Sequence, residues 1–134
     1  RLEINTDYIV RCNDFSVQAA KEATLRLLNM KNIPDAIFGI NDDMAIGAIE
    51  AIKERGIKIP EEIAVVGFSN SKRSHYMSPT VSSINQFPEK IGEKAAQLLF
   101  KQILTPKHAT IKEEVINSEL IVRESSNRSC LHDY

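Results

Sequence analysis

The chain has 134 residues, enough for about one domain with a sizeable core. Hydrophobic residues make up 43% of it and charged residues 26%, a balance typical of globular proteins that excludes a disordered chain. Lys and Arg number 17 against 18 Asp and Glu, for a net charge of -1. The chain by itself therefore has no field that would gather nucleic acid or an anionic membrane.

The opening stretch of the chain and its two cysteines indicate a cytoplasmic protein with reduced thiols. Cys12 and Cys130 lack the spacing of a metal site or a disulfide framework, so both are expected to be free. The opening "RLEINTDYIV" lacks the layout of a signal peptide, and no apolar run is long enough to span a membrane. It also lacks an initiator Met, which suggests a fragment of a longer protein.

In the first half of the chain, predicted strands alternate with predicted helices. The apolar run at residues 8–12 predicts a strand, and apolar positions at helical spacing follow it between 17 and 28. A second strand is predicted over residues 36–40. A helix follows, capped by Asn41 or its neighbour Asp42 and stopped by Gly56.

The second half continues the alternation, because an apolar run without polar interruption is typical of a strand covered on both faces. The further predicted elements are strands at residues 63–68, 81–85, 111–116 and 119–123, and a helix from Pro88 to about Leu104. The polar tail 127–134 is expected to fray. This order predicts an α/β fold with a doubly wound parallel sheet between two layers of helices.

Polar side chains follow four of the predicted strands, and in such a sheet ligands bind at the carboxyl ends of the strands. Amide groups both donate and accept, which suits a neutral ligand rich in hydroxyls or ring nitrogens, and Phe15 offers a stacking face. A sugar or nucleobase-like effector fits, although the same residue types also cap helices and form turns. The predicted effector-binding residues are Asn13, Asp14, Phe15, Asn41, Asp42, Ser69, Asn70 and Gln86.

Other chemistries find little support in the sequence. Neither the dinucleotide motif G-x-G-x-x-G nor the P-loop is present, so no cofactor is predicted. His75, His108 and His132 are too far apart for a metal site. Ser69 or Ser71 could form a triad with His75 and a carboxylate, but the G-x-S-x-G elbow is missing, so no enzyme is predicted.

Three stretches resemble the effector domain of transcription regulators of the lactose-repressor and purine-repressor type. They are "PDAIFGINDDMAIGAIEAIKERGIKIPEEIAVVGFSN" from residue 34, "SPTVSSINQFPEKIGEKAAQLLF" from residue 78 and "ELIVRESS" from residue 119. The resemblance implies one lobe, residues 1–126, of a hinged domain of the type I periplasmic-binding-protein kind. It also implies a homodimer that binds operator DNA through N-terminal headpieces absent here. The same kinship leaves a solute-binding protein of a sugar transporter as the alternative.

The resemblance also implies roles for single residues. An aromatic at Phe15 would stack on the effector, Asn41 would hydrogen-bond it, and Gln86 would lie near the hinge. At Ser69 the family usually has an aspartate, so the effectors of other members do not transfer to this chain.

Residues 88–112 would be a crossover that packs on the other lobe. Without that lobe, the apolar stripe of Ile91, Leu98 and Leu99 is expected to find cover on another copy of the chain or to repack on its own lobe.

Overall fold

The computed structural model describes residues 6–104 and 113–129, which form an open four-stranded sheet with helices. The strands lie in the order β1-β2-β3-β4. The first three are parallel, as predicted, and the fourth runs antiparallel to β3, so the sheet is mixed. The strands are β1 (Ala36–Phe38), β2 (Ala64–Phe68), β3 (Ser82–Asn85) and β4 (Glu119–Ile121). The helices are α1 (Val17–Leu28), α2 (Asp42–Glu54) and α3 (Pro88–Leu104), with short 3-10 turns at Thr6–Tyr8 and Lys72–His75.

Helix α2 begins and ends where its sequence predicts. The Asn41 side chain accepts a hydrogen bond from the Met44 backbone N–H at 2.8 Å and so caps the helix. Two acidic residues occupy the first turn and Lys53 the last, which complements the helix dipole. Gly56 follows with a φ of 68°, a left-handed conformation that glycine adopts without strain.

The core lies between α2 and the sheet. Its largest fully buried apolar side chains are Ile46, Ile49, Ile52, Ile63, Val65 and Val81. Helix α1 packs along α2 and adds Leu28 to this core, with a close approach at Gly47. A Cβ built on Gly47 would lie 2.7 Å from the Ala20 Cβ and closer still to the Val17 carbonyl oxygen. The absence of a side chain at Gly47 therefore sets the distance between the two helices.

Two of the predicted strands differ in the structure. Residues 8–12 form no strand, because a strand needs a neighbour for its backbone groups and no described segment pairs with this one. Residues 113–116 are also irregular, whereas 111 and 112 lie outside the described residues. The apolar patterns of these two segments predicted strands, but a strand also needs a neighbouring segment to pair with, and a local pattern does not reveal one.

Helix α3 extends away from the core. All its described side chains are exposed except that of Leu98, which is half-buried, and Leu99 is 57% exposed. A 3.6 Å ion pair between Lys94 and Glu114 ties it to the segment before β4. The apolar stripe has therefore not repacked on its own lobe. None of the helices in the described ranges is both long and apolar enough to cross a membrane.

The start of the predicted tail is anchored through Arg128. Its Nε donates to the Pro60 carbonyl at 2.7 Å, and its Nη2 donates to the Asp35 carbonyl at 2.9 Å. Residues 130–134 lie outside the described residues, so fraying there stays a prediction.

Candidate functional site

The parallel strands deliver polar residues to one edge of the sheet. Phe68 pairs with Ile84, so β2 and β3 end side by side, and the Ser69 N–H donates to the Ile84 carbonyl at 2.9 Å. Asn41 begins α2 at the same edge, directly after β1 and the short turn that follows it. The predicted grouping of Asn41, Ser69, Asn70 and Gln86 behind neighbouring strands thus follows from the sheet order.

The turn after β2 has an unusual backbone. Ser69 has a φ of 106° and Asn70 a φ of 49°, two consecutive left-handed residues without a glycine. Asn tolerates this region because its side chain bonds locally, but Ser does so less readily. Such a conformation costs on the order of 1–3 kcal/mol per residue and persists only where the surroundings hold it. Strain of this kind is typical of functional sites.

The side chain of Asn70 is held by residues far away in the sequence. Its Oδ1 accepts a hydrogen bond from Arg123 Nη2 at 2.6 Å. His75 Nε2 lies 3.2 Å from the same oxygen and 3.0 Å from Arg123 Nη2. One ring nitrogen cannot donate to the first atom and accept from the second at once, so the guanidinium–amide bond is the fixed contact. Asn70 therefore uses its side-chain carbonyl oxygen to hold the turn in place. Residues that do this, and do not point to a ligand, are called the frame of the site below.

Asp42 also serves the frame. It is only 2% exposed, and its two oxygens accept hydrogen bonds from Ser83 Oγ and from the Ser71 backbone N–H, each at 2.5 Å. A buried carboxylate needs such compensation, because leaving its oxygens without donors costs several kcal/mol. Asp42 was predicted to contact the effector, but its side chain does not reach the surface.

Asn41 and Ser69 keep groups available to a ligand. The cap at α2 uses only the Oδ1 atom of Asn41, which leaves two amide N–H donors. Among the described residues, the hydroxyl of half-buried Ser69 forms no hydrogen bond. Gln86 is half-buried after β3, just before Phe87 with its φ of 53°. These residues offer donors and acceptors without net charge.

Asn13, Asp14 and Phe15 lie on the loop before α1. Hydrogen bonds from the Ser16 hydroxyl and then from the Ser16 backbone N–H, at 2.8 Å, keep the pKa of the Asp14 carboxyl below its ordinary value. Phe15 is 65% exposed, which leaves its ring face open for stacking. Asn13 is exposed beside them.

A largely apolar groove of about 690 Å³ lies next to this loop, between residues 8–15 and β1. Asp14 and Phe15 line it, and it extends to Ile40, the residue before Asn41. Asn41, Ser69, Asn70 and Gln86 are not among its lining residues. The predicted residues thus form two groups, one on the loop at the groove and one that follows the carboxyl ends of β1, β2 and β3.

Three residues of the frame were not predicted from the sequence: Ser71, Ser83 and Arg123. Ser83 lies in "VSSIN", where two neighbouring serines in a buried strand were the signal available. His75 contacts Asn70 and Arg123, and Asp42 contacts Ser71 and Ser83, so the imagined triad is not assembled. Among the described residues, no three His, Cys, Asp or Glu side chains are grouped to hold a metal.

Comparison with known proteins agrees with this architecture. A family model described as a periplasmic binding protein-like domain matches residues 2–126. The chain is 37% identical over 126 residues to the HTH-type transcriptional repressor PurR of Histophilus somni, covering 92% of the chain and 37% of the relative. It is also 37% identical over 128 residues to the probable HTH-type transcriptional repressor ExuR of Bacillus subtilis, covering 95% and 38%.

A solved structure described as the transcriptional regulator CelR–cellobiose complex superimposes with a TM-score of 0.82. Its sequence is 30% identical, and the match covers 93% of this chain and 38% of that one. The chain therefore belongs to the family of periplasmic binding protein-like domains. Within that family it is an effector-binding domain of the lactose-repressor type, as its motifs predicted. It spans less than two fifths of the length of the curated relatives quoted above.

Proposed function

We propose that the chain is the ligand-sensing part of a bacterial transcription regulator. The observation that carries the proposal is the open, uncharged polar edge at Asn41 and Ser69 in a domain whose relatives are repressors. Its role is to bind and not to catalyse. The regulator acts in the cytoplasm, where operator DNA lies. Relatives named as repressors favour this role over that of a transporter's solute-binding protein.

The effector is a small neutral molecule such as a sugar or a nucleobase-like compound. Asn41 donates to it, Ser69 donates or accepts, and Phe15 stacks on its ring, with Asn13, Asp14 and Gln86 around them. A hydroxyl at Ser69 forms weaker bonds than a carboxylate would, but it can donate as well. Asp42 and Asn70 hold the frame. The cellobiose complex of a similar regulator supports a sugar as the class of effector, without identifying which sugar this chain binds.

Binding would control DNA through the equilibrium between open and closed forms of a two-lobed domain. An effector that contacts both lobes shifts the equilibrium toward the closed form. The size of the shift equals the difference between its binding free energies for the closed and the open form. In a homodimer, closure would change the spacing of the two headpieces and so their affinity for the operator. Residues 88–112, including α3, would cross to the other lobe and there bury Ile91, Leu98 and Leu99.

The test is a thermal-shift and calorimetry screen of the full-length regulator against sugars, nucleosides and nucleobases. Two substitutions are matched to the geometry. Asn41→Ser keeps a capping oxygen for Met44 but removes the amide donors, and Ser69→Ala removes only the hydroxyl. Each is expected to weaken effector binding about tenfold, the typical loss when one hydrogen bond to the ligand is removed.

Asn32→Ala is the control, because this exposed residue precedes β1 at the opposite end of the sheet. It should leave affinity unchanged. Equal affinity in wild type, Asn41→Ser and Ser69→Ala would refute the proposed site. A full-length protein that binds none of these compounds would refute the sensing function.

A further inference from the structure

A network of hydrogen bonds lies beneath the turn after β2. It links Asp42 and Ser83 to the backbone of Asn70 and Ser71, and it is called the relay below. Ser83, in the middle of β3, is fully buried, and its Oγ donates to Asp42 Oδ1 at 2.5 Å. The same Oγ accepts from the Asn70 N–H at 2.9 Å. The second carboxylate oxygen of Asp42 accepts from the Ser71 N–H at 2.5 Å. The backbone N–H groups of Asn70 and Ser71, directly after Ser69, are therefore both held from below.

The strands are shaped to admit this relay. Gly67 of β2 pairs with Ser83, and a Cβ built on Gly67 would collide with Asp42 Oδ1. Only a glycine lets the carboxylate lie over β2 and reach β3 on its far side. The relay thus depends on residues from α2, β2, β3 and the turn, which local sequence preference does not explain.

We infer that Asp42 and Ser83 are positioning residues, which hold the strained turn so that the Ser69 hydroxyl faces the ligand. The inference rests on the proposed sensing function and adds a specific device to it. The left-handed backbone at Ser69 and Asn70 relaxes toward ordinary backbone unless the turn is held, and the relay holds it at the N–H groups of Asn70 and Ser71. A ligand that binds a turn already in place does not have to order it, so the relay raises affinity without touching the ligand.

Ser125 provides a matched control for a merely stabilising hydroxyl. It is as fully buried as Ser83. Its Oγ also donates one hydrogen bond, to the Val65 carbonyl at 2.6 Å, and accepts one, from the Ser82 N–H at 2.8 Å. These contacts lie toward the amino ends of β2 and β3, away from the turn. Loss of either hydroxyl is expected to lower stability, and more so at Ser83, where the buried Asp42 carboxyl loses a donor; exchange at the turn is therefore compared with exchange elsewhere in the same variant.

The experiment compares Ser83→Ala, Ser125→Ala and Ser83→Thr in the full-length protein. Hydrogen exchange is measured by mass spectrometry on peptides that span residues 69–71. Calorimetry measures binding of cellobiose, ribose and adenine as probes. Ser83→Ala is expected to speed exchange at the turn and weaken the bound probe, each about tenfold, since the N–H of Asn70 loses its acceptor. Ser125→Ala changes neither by more than about twofold.

Ser83→Thr keeps the hydroxyl and is expected to keep slow exchange at the turn and tight binding, even though its extra methyl group lowers overall stability; this separates loss of the relay from a change in packing. Turn exchange in Ser83→Ala no faster than in Ser125→Ala would overturn the inference. So would faster exchange with unchanged probe affinity. If wild type binds none of the probes, the sensing function is contradicted for these ligands, and the exchange rates alone decide whether the relay holds the turn. Asp42→Asn serves as the second variant should Ser83→Ala not fold.

Discussion

Replacing Gly47 by alanine tests whether the distance between α1 and α2 is set by the missing side chain. The new Cβ would collide with the Val17 carbonyl oxygen and would lie 2.7 Å from the Ala20 Cβ and 3.0 Å from the Lys21 backbone nitrogen. Two of these three atoms belong to the backbone of α1, so no flexible side chain can move aside. The helix must shift as a unit.

The expected magnitude combines two opposite effects. Forcing a methyl group into a packed core costs about 1–3 kcal/mol, and rigid neighbours favour the upper part of that range. Alanine in place of glycine inside a helix returns about 1 kcal/mol of backbone propensity. We therefore expect Gly47→Ala to lower the free energy of unfolding by about 1–2 kcal/mol, the difference between these two estimates.

Urea unfolding followed by circular dichroism measures the change. With a slope of about 2 kcal/mol per molar urea, the midpoint should fall by roughly 0.5–1 M. Gly92→Ala is the control, because it gains the same helix propensity in α3 and a Cβ there meets nothing within 4 Å. It should not lower the midpoint. A Gly47→Ala protein as stable as wild type would show that the helices separate freely, contrary to the packing described above.

Two further predictions concern the carboxyl-terminal segment and α3. Hydrogen bonds from the Thr80 backbone N–H and then its hydroxyl hold the pKa of Glu124 below its ordinary value of 4.5. A depressed pKa means stability that is present above the ordinary value and lost as pH falls through the folded value. Glu124→Gln should therefore lower the urea midpoint more at pH 7 than in acid, with the difference from wild type shrinking as the pH falls below 4.5; a loss that does not change with pH would contradict the assignment. For α3, Leu99→Glu should abolish any self-association of this chain seen by sedimentation velocity, because the apolar stripe is exposed; persistent association would place the contact elsewhere.

The elements predicted correctly are those whose signals are local. Asn41 caps α2, Gly56 ends it, and apolar spacing marks its buried face, so nothing distant was needed to find the helix. Residues 8–12 have an equally apolar pattern and still form no strand, because pairing depends on a neighbouring segment that local sequence cannot reveal. Sequence periodicity therefore predicted the helices more reliably than it predicted which apolar segments pair as strands.

The same limit explains the site. The edge of the sheet was predictable, since polar residues after parallel strands must gather there. Which of these residues hold the turn was not predictable, because Asp42 bonds Ser83 across 41 residues and Asn70 bonds Arg123 across 53. Polar side chains of the same types thus either hold the turn in place or remain available to a ligand, and the residue type alone does not tell which.

That division bears on specificity. In the proposed site, Asp42 is buried in the frame, and the atoms that Asn41 and Ser69 would present to the ligand are neutral. An amide and a hydroxyl cannot hold an anionic ligand by charge, and they discriminate by the placement of donors and acceptors instead. The position of the Ser69 hydroxyl is well defined only if the turn that carries it is rigid. A strained turn held by a buried carboxylate is therefore a sensible basis for selecting among ligands that differ in the position of one hydroxyl group.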